Sequence, residues 1–258
     1  MSLGHGPAIA MNGLLNCLDF RNPRIYSGGA SVSCLGSVPA RMTLIVPTYY
    51  SYDSAAGTLT FDRSPSAPKH GGMCYTDTIL PQGSLNVNNF LYNDHTWEVI
   101  FRINDVNPGN YDVNEGWSIL SVYQGFHAGF LYTASSLQYI IWTTGPATAT
   151  VASWTLGTSS GQIRQGQWYN IAVTRSGNVF TPYVNGEQLG TGTTTAVVNP
   201  SVTSNVLCLG ASQALAAGSG SFVYYSKNSI SGMRMYGRAL SAVEIANNFN
   251  ATRGRFGI

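Results

Sequence analysis

Charge is what this chain has least of: Asp, Glu, Lys and Arg make up 9% of its 258 residues, against about 25% in an ordinary soluble domain. Only Lys69 and Lys227 are lysine, and the net charge is +2. No run of basic residues could neutralise successive phosphates, which excludes a nucleic-acid-binding face. Glutamate occurs four times, at Glu98, Glu115, Glu187 and Glu244. That leaves little from which to build the carboxylate pair a glycoside hydrolase needs across a sugar linkage. Long apolar runs are missing too. None approaches the ~20 residues of a spanning helix, so no membrane insertion is expected. The first residues, Met1 to Pro7, lack the charged and apolar regions of a secretory signal, which points to synthesis in a cytoplasm. Cysteine is scarce: Cys17, Cys34, Cys74 and Cys208 are scattered and form no Cys-x-x-Cys pair. They read as free buried thiols, since nothing else in the sequence supports an oxidising compartment.

What is present points to an all-β domain. Apolar residues reach 44% and aromatic ones 12%, too many for a disordered chain, and 29 glycines and 11 prolines supply turns. Thr96 to Ile103 alternates strictly, placing Trp97, Val99, Phe101 and Ile103 on one face. Trp168 to Arg175 does the same with Tyr169, Ile171 and Val173, and the chain returns over Val179 to Val184. Asn185-Gly186 tolerates positive φ in a tight hairpin and leads into a short strand from Glu187. Further strands are expected at 14–20, 118–123, 129–133, 137–142, 206–209 and 230–236. The stretches 30–60, 104–116 and 143–165 read as loops. Ser241 to Glu244 is a capping box that starts the one helix, with Val243, Ala246 and Phe249 as its apolar stripe. Residues 1–12 read as an N-terminal arm and 13–258 as a single sandwich domain.

Few motifs carry chemistry. Asp94 with Glu98, and Asp112 with Glu115, are the nearest carboxylate pairs, and neither has a third group to tune it; no catalytic residue is expected. Gly157-Thr-Ser-Ser-Gly161 matches a nucleophile-elbow pattern but lies in a Ser/Thr-rich stretch with no helix after it. His5, His70, His95 and His127 are too dispersed to specify a metal, and no cofactor is expected. Aromatic side chains remain: Trp117, Tyr132, Tyr139, Trp142 and Trp154 are candidates for stacking on sugar rings, or else for filling the core. Arg253 and Arg255, near a Gly-punctuated end, are candidate assembly contacts.

Several segments together resemble a known family. Gly13-Leu-Leu-Asn-Cys-Leu-Asp19, followed by Asn22-Pro-Arg24 and Tyr26, looks like an opening strand; Thr96-Trp-Glu-Val99 and Gly166 to Arg175 with Tyr183-Val-Asn-Gly186 look like central ones. Ile230 to Ser241, the helix after it and the end Arg253-Gly-Arg-Phe-Gly-Ile258 look like a closing unit. The chain resembles the laminin-G-like, concanavalin A-like jelly rolls of bacteriophage virion proteins. The resemblance implies a jelly-roll sandwich of two antiparallel sheets whose first and last strands pair. It also implies a non-enzymatic virion protein, a capsid decoration or tail-associated component on the particle surface, made in a host cytoplasm. Other virion proteins and further copies of the chain would be its partners; the alternative is a carbohydrate-binding adhesin that contacts host surface glycans. The family's Gly-Gly-x-x-x-F-D-G segment is degraded to Gly71-Gly-Met-Cys-Tyr-Thr-Asp77. The glucanase E-x-D-x-E signature and a calcium cluster are absent, so no catalytic or metal residue is carried over.

Overall fold

Trp97, Val99, Phe101 and Ile103 form the inner face of a nine-residue strand, and a sheet is built outward on both sides of it. The computed structural model describes residues 8–37, 41–45, 50–61, 72–74, 93–104, 117–123, 126–132, 136–143, 149–158, 164–189, 192–193, 206–209, 212–213, 222–223 and 228–258; side chains are described in 8–37, 50–61, 93–104, 164–189, 209 and 228–258.

The first part of the chain supplies β1 (Leu14–Asp19), β2 (Ser31–Ser33), β3 (Arg41–Ile45), β4 (Tyr50–Asp53), β5 (Thr58–Phe61) and β6 (Gly72–Cys74). The middle supplies β7 (His95–Ile103), β8 (Trp117–Tyr123), β9 (Phe126–Tyr132), β10 (Ser136–Thr143) and β11 (Ala149–Thr158). Then come β12 (Trp168–Ser176), β13 (Val179–Val184), β14 (Glu187–Gln188), β15 (Gly192–Thr193) and β16 (Val206–Leu209). The last are β17 (Ser212–Gln213), β18 (Phe222–Val223), β19 (Asn228–Tyr236) and the helix α1 (Ala242–Thr252).

Among the described residues, nine strands form one antiparallel sheet, ordered β14-β13-β12-β7-β19-β5-β4, with β1 also on β19 and β15 on β13. Eight form a second, ordered β11-β10-β9-β8-β16-β6-β3-β2, and β17 with β18 makes a small ribbon. The result is an all-β jelly-roll sandwich with one short C-terminal helix. Tyr169, Ile171 and Val173 of β12 lie opposite Phe101, Val99 and Trp97, and Ile230, Met233 and Met235 of β19 flank them on the other side. All nine are buried. The chain ends meet as expected: β1 pairs antiparallel with β19, Cys17 opposite Arg234, and Gly237 N–H donates to the Gly13 carbonyl at 2.9 Å.

Turn chemistry closes the hairpins. Asn185 and Gly186 have φ of 51° and 80°, as the β13–β14 turn requires. Gly36 has φ 139°, and a Cβ there would sit 2.3 Å from the Leu15 carbonyl oxygen, so only glycine lets this loop lie against β1.

Two expectations are corrected. The stretch 30–60 holds β2 to β5, and 143–165 holds β11. The helix begins at its capping box, with Ser241 Oγ accepting from Glu244 N–H at 3.3 Å. Its buried stripe is Ile245, Asn248, Phe249 and Thr252, while Val243 is 69% exposed. The spacing is i, i+3, i+4, i+7, as for any half-buried helix. What shifts its phase is a polar anchor, Asn248, which is drawn into the protein.

The start of α1 is also tied electrostatically. Arg238 donates to both carboxylate oxygens of Glu244, through Nη1 at 3.0 Å and through Nη2. With the Ser241 N–H, these bonds hold the Glu244 carboxyl down to about 2 from its usual 4.5. A depressed carboxylate stabilises the fold above its unfolded value and loses that contribution as pH falls through its folded one. The stability gap between the wild type and Glu244→Gln, read from urea midpoints, should therefore close from about pH 4.5 to pH 2. The side chains are 28% and 30% exposed, so solvent screens the pair and the gap should be small. A gap that does not change with pH would remove Glu244 from this role.

Candidate functional site

Beneath α1 the nine-stranded sheet carries a buried polar network centred on Glu98 of β7. Glu98 is fully buried. Its Oε1 accepts from Asn170 Nδ2 of β12 and from Arg234 Nη1 of β19, each at 2.8 Å. Its Oε2 accepts from Asn248 Nδ2 of α1 at 2.9 Å. Asn248 Nδ2 also donates to Tyr236 Oη at 3.0 Å, and Asn248 Oδ1 accepts from the Ala10 N–H at 2.8 Å. Burial works against the Arg234 charge, but the Glu98 carboxylate outweighs it and the guanidinium is held more firmly protonated than usual. Burial, reinforced by Glu98, pushes the Tyr236 hydroxyl up, so it stays neutral. The network is sealed on one side by the sheet and on the other by the helix. The carboxylate takes all three of its hydrogen bonds from its own chain. It joins β7, β12, β19, α1 and the N-terminal arm, which is a structural task.

The other described carboxylates are committed in the same way, one excepted. Asp19 accepts a two-pronged pair from Arg255 at 3.0 Å and 3.0 Å. Asp53 accepts from the Ala55 and Ala56 N–H groups in a turn, and Asp94 accepts from the Gly177 N–H at 2.7 Å. Glu187 stands exposed at the edge strand β14. Asp112 and Glu115 lie outside the described residues, as do His5 and His70. Among the described residues, no three His, Cys, Asp or Glu side chains gather where they could hold a metal ion. No helix among them is long and apolar enough to cross a membrane.

Arg255 is therefore engaged inside its own chain. Its guanidinium also lies 5.3 Å from the Phe256 ring, which packs at 4.8 Å on Trp168, and Arg253 lies 5.8 Å from the Phe249 ring. These contacts fold the C-terminal tail back onto the domain.

The aromatic candidates all fall on the eight-stranded sheet, and register separates them. Trp117 lies opposite Tyr132, and Tyr139 lies opposite both Phe130 and Trp154. Following cross-strand partners through Phe130 and Leu120 leads to Leu209, which is buried. Trp117, Tyr132, Tyr139 and Trp154 thus share the register face of a core residue. Trp142 belongs to the opposite face, in one cross-strand row with His127 and Tyr123. Both faces can be fixed from the far edge as well. Val32 of β2 is buried on the Leu209 side and Ser31 is exposed on the Trp142 side.

Residues 79–246 match the model of the family described as the concanavalin A-like lectin/glucanases superfamily, in its laminin G type. The chain belongs to that superfamily. The match begins after β6, yet β1 to β6 extend both sheets of this concanavalin A-like domain. Among solved structures it is similar to the Trypanosoma rangeli sialidase in complex with sialic acid. The TM-score is 0.61 at 16% identity, over 99% of this chain and 35% of the sialidase. It is also similar to the botulinum neurotoxin serotype D binding domain, with a TM-score of 0.63 at 10% identity over 93% of this chain and 52% of that one. The chain thus spans about a third and about half of these proteins, and at such identities the likeness is one of fold. No curated protein matches the chain in sequence.

Proposed function

We propose that the protein is a non-enzymatic structural protein of a bacteriophage virion, exposed on the particle as a capsid decoration or tail-associated module. The observation that carries the non-enzymatic part is the use made of the described carboxylates: Glu98 is sealed beneath α1, Asp19, Asp53, Asp94 and Glu244 each hold a local partner, and Glu187 stands at a sheet edge. What supports the virion part is the resemblance of the opening strand, the closing strand and the Arg-Gly-Arg end to phage structural proteins. In this chain those three segments pack on one another through β1, β19 and the Asp19–Arg255 pair. Its partners would be other virion proteins and further copies of itself, after synthesis in the host cytoplasm. Peptide mass spectrometry on gradient-purified particles tests this: the chain should co-sediment at a fixed stoichiometry, and its absence from particles would end the reading.

One observation favours a second role, glycan contact. Tyr123, His127 and Trp142 are direct cross-strand neighbours on the face where Ser31 is exposed. A row of rings suits the apolar face of a sugar, with the imidazole as a hydrogen-bonding group. On a glycan that the wild type binds, Trp142→Ala should weaken binding about tenfold, a loss of ~1.4 kcal/mol. Unchanged affinity would exclude Trp142 from contact.

A further inference from the structure

The eight-stranded sheet is assembled from two separate parts of the chain. β8 to β11 follow one another as hairpins, whereas β2, β3 and β6 come from the first 74 residues. The four-residue strand β16 joins them. It pairs with β8 at four positions but with β6 at two, Leu209 opposite Met73 and Cys208 opposite Cys74. Half of that seam is a cysteine pair. Residues directly opposite in an antiparallel ladder have Cα atoms about 4.5 or 5.5 Å apart, and disulfides span about 4.4–6.8 Å. Both arrangements fall inside the range.

Register also sets the face. Ser31, Thr43, Cys74, Cys208 and Ser121 form one cross-strand row, and Ser31 at its edge is exposed. The other two cysteines are placed elsewhere: Cys17 lies half-buried on the nine-stranded sheet, and Cys34 is buried after β2. Burial pushes the Cys17 thiol up, which makes it a poor attacking group.

We propose that Cys74 and Cys208 form a cross-strand disulfide that staples β6 to β16 when the protein meets an oxidising medium. The oxidant is a low-molecular-weight disulfide such as glutathione disulfide. One cysteine thiolate attacks it and releases one glutathione, and the second attacks the mixed disulfide and releases the other. Two protein thiols are thereby oxidised to one disulfide, while one glutathione disulfide is reduced to two thiols. A protein made in a cytoplasm would carry the dithiol and acquire the staple outside it. The link encloses a long loop, the case in which constraint of the unfolded chain is greatest. Nothing in this inference depends on the virion or glycan readings.

The test uses the full chain, reduced, exchanged into glutathione disulfide, alkylated and mapped by non-reducing peptide mass spectrometry. The expected result is loss of two of the four free thiols, with one cross-linked peptide pair joining Cys74 to Cys208. The thermal midpoint should rise by about 10 °C and return on reduction. Cys74→Ser and Cys208→Ser should each keep their three remaining thiols and show no rise. Four alkylated thiols in the oxidised wild type, a bridge through Cys17 or Cys34, or a bridge between two chains would overturn the proposal. Peptide mapping of the wild type decides the matter even if a serine variant fails to fold.

Discussion

Glu98→Ala should destabilise the protein by about 3–5 kcal/mol, the effect expected when one partner of a buried ion pair is removed. Arg234 would keep its charge at 6% exposure with nothing to balance it. Asn170 and Asn248 would each lose an acceptor that desolvation makes costly to replace. The consequence reaches the helix as well, because Asn248 both accepts from Ala10 and donates to Glu98. The N-terminal arm and α1 should therefore become susceptible to protease before the sandwich does. A second variant separates charge from packing. Glu98→Leu combined with Arg234→Met removes both charges in similar volume, and buried pairs replaced in this way often lose little stability. The urea midpoint of the double variant should lie well above that of Glu98→Ala, and a midpoint for Glu98→Ala equal to wild type would show that the network does not stabilise the fold.

Local patterns made much of this fold legible. The alternation from Thr96 to Ile103, the Asn185-Gly186 turn and the Ser241–Glu244 capping box each act over a few residues, and each appears where the sequence places it. Less local features were hidden. β11 is rich in Ala, Ser and Thr, and its strand character comes from pairing with β10, not from its own pattern. The phase of α1 depends on Asn248 reaching a carboxylate 150 positions earlier in the chain. No periodicity within the helix could indicate that. Glu98 itself reads in the sequence only as half of a carboxylate pair with Asp94, and the helix laid across its side of the strand makes it a buried hub. The aromatic candidates show the same limit from the other side. Trp117, Tyr132, Trp142 and Trp154 look alike in sequence, but hairpin register and the irregularities in β8, β10 and β11 put Trp142 on one face and the rest on the other.

Phe101→Ala is the matching test of the apolar core, and it should cost about 3–5 kcal/mol from lost burial and the cavity left behind. Phe101 sits at the centre of the nine-stranded sheet, opposite Tyr169 on one side and Ile230 on the other, and is fully buried. Its ring centroid is 6.2 Å from that of Tyr169, at a tilt of 37°. Tyr169 in turn is fixed at its far end, where its hydroxyl accepts from the Arg164 N–H at 2.7 Å and donates to Gln167 at 3.0 Å. A ring pinned by two hydrogen bonds cannot swing across to fill the vacated space, so the cavity should persist and the loss should fall toward the upper end. Val243→Ala supplies the scale: that side chain is 69% exposed on α1, and its truncation should change stability by less than about 0.5 kcal/mol. The two variants should share the wild-type dependence on urea, since neither alters how much surface unfolding exposes, and differ only in midpoint. If Phe101→Ala unfolds at the midpoint of Val243→Ala, the face assignment of β7 is wrong, and with it the placement of Glu98 on the side that α1 covers.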